Sequence, residues 1–300
     1  VGGIFEAIHQ ALVEADVLLV ESCWQGHRER WRYGIAEYPL FPERNNLALQ
    51  RVLDLARRLG VPAVFWNKED GVHYERFIHT ARLFDFILTV DERVLGRYRQ
   101  DAPQARVGVL PFAVHRDLHY PASHPPRQRG ALFVGSYTQT IHPERKYWQD
   151  LMFAACRPLG LTIVDRNSDR KSAIYRFPEA DYIRVLPAIP HVHTGFYYRD
   201  YPVCLNVNTI TDSRSMMSRR LMEILACGSL AVTNPSLAVA THLDGLCEVV
   251  TGPASAQQLF EQLSHGLTPQ QQAMCREASA QVLARFGYER WLSQLMEFIG

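Results

Sequence analysis

Short apolar runs alternate with amphipathic stretches along almost the whole chain, and this alternation restricts the folds that it can adopt. Four runs in the first part are typical of strands, at 15–22, 62–67, 84–91 and 107–113. Six more follow, at 131–136, 161–166, 182–188, 203–208, 230–234 and 247–252. Continuous apolar runs of this length indicate parallel strands covered by helices on both faces. The pattern therefore predicts an α/β fold.

The sequence between the runs predicts two domains. NNLALQRVLDLARRLG (45–60) has helical spacing and a stop at Gly60, which makes a βαβ unit with the strands around it. HRDLHYPASHPPRQRG (115–130) has no apolar period and predicts a linker. We expect two doubly wound, Rossmann-like domains facing a central cleft, at 1–118 and 119–285. A C-terminal helix at 286–300 would cross back to the first domain.

The composition argues against several classes of partner. The 300 residues are 47% apolar, and 32 basic against 31 acidic residues give a formal charge of +1, too small to predict nucleic acid as a partner. Six scattered cysteines without CxxC spacing predict reduced thiols and a cytoplasmic location. No apolar run reaches the roughly 20 residues of a transmembrane helix, although peripheral membrane contact stays open. The chain begins at Val1, so we expect a shortened first domain within a larger polypeptide.

Polar residues follow the first strands of the second domain, where ligands bind in open α/β sheets. Gly135 lets a phosphate or sugar approach the backbone, and Ser136 or Tyr137 can add a hydroxyl, although a tight turn needs the same glycine. Arg145 and Lys146 open the next predicted helix and can hold a diphosphate, or form a solvated helix start.

Two further strand ends carry polar groups. Asp165 and Arg166 end one run, and Asn206 and Asn208 end another. Amides can bond a base or a sugar edge, or they can close a turn. For Asn206, inside the apolar run, we favour core packing.

The stretch 215–234 predicts a helix that stops at Gly228 and continues into a strand. It carries Arg219, Arg220 and Glu223 near one another. These three can form a surface salt bridge, but arginine before glutamate is the less favourable order for such a pair. The functional alternative is a ligand site, in which an arginine faces a phosphate and the carboxylate accepts two hydrogen bonds from a ribose diol.

The stretch SRRLMEILACGSLAVTN (218–234) resembles the donor-site helix of the two-domain GT-B-fold glycosyltransferases. A longer series resembles the CgeB-like glycosyltransferases, which are named for a spore-maturation protein. The segments that carry this likeness are VESCWQG (20–26), VFWNKED (64–70), FDFILTVD, LPFA, FVGSY, IVDR and LNVNTITDSRSMMSRRLMEILACG. The resemblance runs from about residue 15 to 235 and implies a GT-B-like fold.

The resemblance also implies roles for individual residues. Glu223 would hold the nucleotide ribose, and Arg145 or Lys146 would contact the diphosphate. Arg219 or Arg220 would take part in donor binding, with Ser218 beside them. Ser215 stands eight residues before the glutamate, where many retaining members have a second glutamate.

The first domain is expected to bind the acceptor, because its strand ends are rich in polar and aromatic side chains. WNKED (66–70) supplies a tryptophan that can stack on a sugar and groups that can act as a base or orient an acceptor. A solvated turn is the structural alternative. The candidate catalytic residues are Lys68, Glu69, Asp70 and His73, and the candidate acceptor or sugar contacts are Glu21, Trp24, Trp66 and Asn67.

His191 and His193 have an HxH spacing without a nearby cysteine or carboxylate pair. We interpret them as loop histidines and predict no metal site. GT-B enzymes usually use helix dipoles and cationic side chains in place of a divalent metal.

These observations predict a metal-independent glycosyltransferase. It would move a sugar from a nucleotide-diphosphate sugar, with UDP-sugar favoured, to an acceptor hydroxyl with retention, in bacterial glycan or surface-polysaccharide synthesis. No permanently bound cofactor is expected. Two alternatives stay open: a nucleotide-sugar epimerase on the same scaffold, and a non-catalytic sugar-nucleotide-binding module of a larger protein.

Overall fold

The computed structural model describes residues 2–300, and the chain divides into two compact units. The first unit runs to Pro111 and includes Leu292–Gly300, and the second is Phe112–Trp291. The sequence placed the boundary later, at 118–119, because 115–130 lacks an apolar period. In the structure Val114 donates its amide proton to the carbonyl oxygen of Phe286, which ties this segment to the second unit.

The first unit is a four-stranded parallel sheet with helices between its strands. The strands, in the spatial order β1-β2-β3-β4, are β1 (Leu18–Glu21), β2 (Ala63–Asn67), β3 (Phe86–Thr89) and β4 (Arg106–Val109). The helices are α1 (Gly2–Val13), α2 (Leu47–Leu59), α3 (Asp70–Ala81) and α4 (Leu95–Asp101). Because all four strands are parallel, their carboxyl ends lie along one edge of the sheet.

Helix α2 shows why the sequence pattern works in this unit. The predicted apolar spacing included Leu47 and Leu59, but these two are exposed, and the buried face is formed by Leu49, Val52, Leu53 and Ala56. Gly60 ends the helix with φ 71°, a left-handed conformation that glycine adopts without the steric cost of a β-carbon.

The second unit is a six-stranded parallel sheet. Its strands are β5 (Ala131–Gly135), β6 (Leu161–Asp165), β7 (Ile183–Leu186), β8 (Val203–Leu205), β9 (Leu230–Thr233) and β10 (Glu248–Val249), in the spatial order β10-β9-β8-β5-β6-β7. Its helices are α5 (Pro143–Ala155), α6 (Thr194–Asp200), α7 (Arg219–Ala226), α8 (Leu237–His242), α9 (Pro253–Ser264) and α10 (Pro269–Phe286).

The strand order reverses between β5 and β8. From β5 the chain adds β6 and β7 on one side of the sheet, and it then returns to add β8, β9 and β10 on the other. The connections that leave β5 and β8 therefore diverge at their carboxyl ends, which opens a crevice where ligands of doubly wound sheets bind. Helices α5 and α7 follow these two strands in the chain.

Helix α11 (Tyr288–Ile299) begins in the second unit, and from Leu292 onward its residues belong to the first. Within the first unit, Phe298 packs edge-on against Phe86 at 6.1 Å between ring centroids. A β-carbon at Gly108 would lie 2.6 Å from the Phe298 ring, so this strand position must stay free of a side chain for the helix to pack there.

Each strand predicted from an apolar run is present, which confirms the α/β architecture. In residues 2–300, no helix combines the length and the apolar character that crossing a bilayer requires. All six cysteines are free thiols, and all except Cys23 are buried.

Candidate functional site

Three arginines of the second unit converge on Gly135 and Ser136, where β5 ends. Arg145, in the first turn of α5, donates from Nη2 to the Ser136 carbonyl oxygen at 3.1 Å. Arg166 donates its backbone N–H to the Gly135 carbonyl oxygen at 2.9 Å. Arg220, in the first turn of α7, lies so close that a β-carbon at Gly135 would be 2.6 Å from its Nη2 atom. The glycine thus allows a cation to lie directly on the strand end.

The ion pairs of this region do not include the three arginines of the cluster. Lys146 and Arg219, next to two of its members in sequence, form ion pairs with carboxylates. Among residues 2–300, Arg145, Arg166 and Arg220 form none. Such a cluster at the carboxyl end of a parallel strand is suited to bind an anion with several oxygens.

Burial and mutual repulsion are visible in the pKa values of the cluster. Burial, followed by the charges of Arg220 and Arg166, lowers the pKa of Arg145 to about 10. Its Nε atom is buried without a hydrogen-bond partner. Burial likewise lowers the pKa of Arg220. The folded protein therefore holds the charges of Arg145 and Arg220 in an unfavourable position, which is a common property of binding sites.

Glu223 supplies a buried negative charge on α7, one turn after Arg220. Its Oε1 atom accepts hydrogen bonds from Arg219 Nε at 2.8 Å and from His191 Nε2 at 2.7 Å. Burial raises the pKa of Glu223, but the His191 hydrogen bond and the electrostatic interactions with His119 and Arg219 outweigh it, and the net pKa lies below the ordinary value. The carboxylate is therefore ionised at neutral pH and can accept hydrogen bonds from hydroxyl groups.

His119 completes the surroundings of Glu223 and was missed by the sequence analysis. Its Nε2 atom lies 3.9 Å from Glu223 Oε2 and 3.0 Å from Thr194 Oγ1. Burial lowers the pKa of His119 to about 4, so the ring is neutral near pH 7. His119 lies in the segment predicted as a linker, where no periodicity or motif marks it.

The structure corrects the interpretation of His191 as an uninvolved loop histidine, because its ring bonds directly to Glu223. Ligand atoms of His119, His191 and Glu223 lie within 4.8 Å of one another, so these side chains are close enough to surround a metal ion. His193 lies in the same short 3₁₀ turn, and its ring centroid lies 6.1 Å from that of Phe196.

Asparagine side chains link the ends of β8 and β9 by hydrogen bonds. Asn206 donates to Asn208 Oδ1 and to Thr233 Oγ1, both at 3.0 Å. Asn208 in turn donates to Thr233 Oγ1 at 3.0 Å and to the Asn234 carbonyl oxygen at 3.2 Å. Asn206 is thus a satisfied core residue, as expected. Asn208, proposed above as a donor contact, is buried, and both amide protons and its side-chain oxygen are bonded within the protein.

Ser218 connects these hydrogen-bonded asparagines to α7, since its hydroxyl donates to Asn206 Oδ1 at 2.9 Å. It is the N-cap residue by position, but its side chain accepts no bond from the first turn. The amide groups at the start of α7 therefore have no side-chain cap. They lie beside Arg219 and Arg220, where an anion could be bound.

Three other predicted donor residues are engaged elsewhere in the second unit. Tyr137 is buried, and its hydroxyl donates to Asp150 Oδ1 at 2.7 Å. Lys146 bonds the other oxygen of Asp150 at 2.5 Å, so Arg145 rather than Lys146 is directed at the β5 end. Asp165 is buried, and it caps the turn after β6 by accepting from the Asn167 amide at 2.8 Å.

In the first unit, three residues of WNKED face inward. Trp66 is only 6% exposed and donates from Nε1 to the Leu110 carbonyl oxygen, so it cannot stack on a sugar in this conformation. Asn67 and Asp70 are buried and bond each other at 2.6 Å, and Tyr98 donates to Asp70 at 2.8 Å. Burial raises the pKa of Asp70 to about 7, against a weaker opposing effect of hydrogen bonds from Thr89 and Tyr98. These three residues hold the β2–α3 turn.

The remaining candidates of the first unit stay at least partly exposed near the strand ends. Lys68 Nζ pairs with Glu21 Oε2 at 2.5 Å across β1 and β2. Glu69, partly exposed, precedes α3. Trp24 and His73 meet edge to face, with ring centroids 5.1 Å apart. These five side chains form the polar and aromatic surface that this unit offers at its strand ends.

Comparison with known proteins supports the fold. Residues 165–297 match the family model described as glycosyl transferase-like. A search of curated proteins finds no match. Several solved structures are similar in fold although distant in sequence.

One similar structure is sucrose-phosphate synthase from Thermosynechococcus elongatus, with 15% identity, 83% of this chain and 71% of that chain covered, and a TM-score of 0.54. HepE from Anabaena in complex with UDP and glucose has 12% identity, 99% and 81% coverage, and a TM-score of 0.55. The same Anabaena protein in complex with UDP-glucose has 13% identity, 98% and 81% coverage, and a TM-score of 0.56.

These neighbours are GT-B glycosyltransferases and cover both units, so the predicted GT-B-like fold is confirmed. The family match falls on the segment that contains β8, α7 and Glu223. The match and the fold together support the prediction that the chain is a glycosyltransferase enzyme. The chain has the GT-B fold, and its residues 165–297 match a glycosyl transferase-like family model.

Proposed function

We propose that this protein is a UDP-sugar glycosyltransferase whose donor site lies at the β5 and α7 ends of the second unit. One observation carries the proposal: α7 contributes Arg220 to an arginine cluster without ion-pair partners among residues 2–300, and it also carries the ionised, buried Glu223. Arg220 and Glu223 are three residues apart on α7. A nucleotide sugar combines a diphosphate anion with a ribose diol, and these two groups of side chains match its two parts.

The diphosphate would lie between Arg145, Arg166 and Arg220. Bond breaking at the sugar transfers negative charge to the leaving diphosphate, so cations held in place before the reaction stabilise the transition state. Gly135 permits close approach to the strand, and the uncapped start of α7 adds amide donors. Glu223 would accept hydrogen bonds from the ribose hydroxyls.

The acceptor would bind at the strand ends of the first unit. Lys68, Glu69 and His73 are the candidates that can assist proton transfer, and Glu21 and Trp24 are the candidates that contact an acceptor. Their partial exposure supports this assignment, whereas Trp66, Asn67 and Asp70 support the turn from within. We further propose a CgeB-like, retaining enzyme of bacterial surface-glycan synthesis that works in the cytoplasm, as the sequence resemblance implies.

A two-stage experiment tests this function. UDP-, GDP-, TDP- and CMP-sugars are first compared for thermal stabilisation, since a ligand at 100 times its Kd adds about 2.7 kcal/mol. The best ligand is then tested for nucleotide release with and without sugar acceptors. We expect stabilisation by a UDP-sugar and release that depends on an acceptor.

Other outcomes would contradict the proposal. Stabilisation by no nucleotide sugar would refute the donor site. Interconversion of sugars without an acceptor would indicate an epimerase, and binding without any release would indicate a non-catalytic module.

A further inference from the structure

The carboxylate of Glu223 is enclosed by three side chains, and this enclosure has a consequence for ligand binding. Oε1 accepts from His191 and Arg219, and Oε2 faces His119 at 3.9 Å. The Glu223 side chain is only 5% exposed. A carboxylate oxygen has two lone pairs, so Oε1 has no acceptor site left for a ligand hydroxyl.

A ribose diol places two neighbouring hydroxyl groups against a carboxylate, and each needs an oxygen within about 2.7–2.8 Å. Binding in this way requires a free lone pair on both Oε1 and Oε2. In the ligand-free protein Oε1 offers none. One of its two donors must therefore leave before the diol can bind both oxygens.

The neighbours of Glu223 differ in their freedom to move. His119 is 1% exposed, and its ring is anchored on the Thr194 hydroxyl. That hydroxyl donates to the His191 carbonyl oxygen at 2.8 Å, so it must accept from His119 Nε2. This bond also fixes the backbone of His191. Movement of His191 is therefore restricted to its side chain.

His191 is the donor best placed to leave. Its side chain is 44% exposed, and it reaches Glu223 from the separate turn before α6. Arg219 is similarly exposed, at 42%, but it lies on the same helix four residues from Glu223, and a bound anion would attract it. Rotation about the two side-chain bonds of His191 into solvent frees Oε1 without disturbing α7.

We infer that His191 determines donor affinity by occupying, in the empty site, the Glu223 oxygen that a ribose hydroxyl would use. This inference rests on the proposed donor function of Glu223. His191 is thus an internal competitor of the ribose, and its bond to Glu223 breaks when the nucleotide binds. The same bond keeps the buried carboxylate paired while no ligand is present.

UDP binding to three variants tests this inference by titration calorimetry. His191→Ala removes the competing bond to a charged group, and we expect UDP to bind about tenfold more tightly. His191→Gln retains a side-chain donor and should bind UDP nearly as the wild type does. His193→Ala is the matched control, because that side chain lies in the same turn and its ring contact is with Phe196.

A second nucleotide distinguishes competition from a general structural effect. The gain in His191→Ala should be lost with 2′-deoxy-UDP, which lacks one hydroxyl of the diol. Unchanged or weaker UDP binding by His191→Ala, or an equal gain for both nucleotides, would overturn the inference. If the wild type binds no nucleotide, the proposed donor function itself fails, and wild-type titrations show this separately.

Discussion

Replacing Arg145 with methionine should stabilise the ligand-free protein and weaken its binding of UDP. The Arg145 guanidinium is largely buried beside Arg166 and Arg220, and its pKa falls from 12.5 to about 10. Each pKa unit corresponds to about 1.4 kcal/mol, so holding this charge costs at most about 3 kcal/mol. Because the side chain is partly exposed, solvent screening reduces the expected gain to about 1–2 kcal/mol.

Two hydrogen bonds from Arg145 Nη2 to Ser136 are lost in this variant, at 3.1 Å to the carbonyl oxygen and at 3.4 Å to the hydroxyl of a partly exposed side chain, and their loss costs little. The Ser136 carbonyl oxygen, which accepts from Arg145, also accepts from Gln149 Nε2 at 3.0 Å, so it stays satisfied. The Arg145 Nε atom has no partner to lose. Methionine has a flexible apolar stem of similar length and can fill the space.

The effect on binding has the opposite sign. A hydrogen bond to a charged group contributes about 1.5–3 kcal/mol, so UDP should bind about 10 to 150 times more weakly. Urea unfolding with and without UDP measures both effects in one experiment. We expect a higher unfolding free energy without ligand and a smaller increase on adding UDP.

Lys146→Met is the matched control, since it removes a cation from the next position of α5. Lys146 pairs with Asp150 four residues away, and such exposed helix pairs contribute about 0.3–0.5 kcal/mol. This variant should be slightly less stable and bind UDP like the wild type. If Arg145→Met were less stable without ligand and bound UDP normally, Arg145 would be a structural residue and the reasoning would be refuted.

Two further substitutions test other parts of the molecule. The pKa of Asp70 is about 7 in the folded protein and 3.8 in the unfolded chain. Between these pH values the folded state binds the extra proton, so the stabilising contribution of Asp70 falls as pH rises, by up to about 4 kcal/mol in all. Urea unfolding should therefore show that the stability of Asp70→Asn relative to wild type increases from pH 4.5 to 8; a constant difference would contradict the assigned pKa. Gly135→Ala places a methyl group 2.6 Å from Arg220 Nη2 and should weaken UDP binding about tenfold or more, as titration would show. Gly96→Ala, with no atom within 4 Å of the added carbon, should leave UDP binding unchanged and add about 0.5–1 kcal/mol of stability, and equal UDP affinities of the two variants would contradict the role of Gly135.

The fold could be predicted because strand and helix periods are local properties of the sequence. The apolar runs gave all the strands of both sheets. The glycines that end helices were equally predictable: Gly60 and Gly228 were predicted to end helices, and both have left-handed φ values, 71° and 73°. Neither prediction requires knowledge of which strands are neighbours.

The direction of side chains at strand ends could not be predicted in the same way. Trp66 and Asn67 end β2 beside polar neighbours, which suggested a ligand surface. In the structure they turn inward, because Leu110 and Tyr98 offer them partners from 44 and 31 residues away. Long-range hydrogen bonds of this kind leave no periodic trace in the sequence.

The candidate donor site was predictable to the extent that it lies on one helix. Arg220 and Glu223 share α7, and their spacing showed that they could act together. His119 and His191 reach Glu223 from other segments, 104 and 32 residues away in the sequence. The chain passes through α6 and β8 between His191 and Glu223, and through β5, α5, β6 and β7 as well between His119 and Glu223, so these contacts depend on the fold of the whole unit.

UDP titration of Glu223→Gln tests most directly whether the second unit holds a nucleotide-sugar site. The substitution keeps the size of the side chain and replaces one acceptor oxygen with a donor. Glu277→Gln, on α10, is a surface control whose carboxylate bonds only Gln281 among residues 2–300. We predict that the Glu223 variant binds UDP at least tenfold more weakly than the wild type and the control, while remaining folded. Equal UDP affinity in all three proteins would contradict the account.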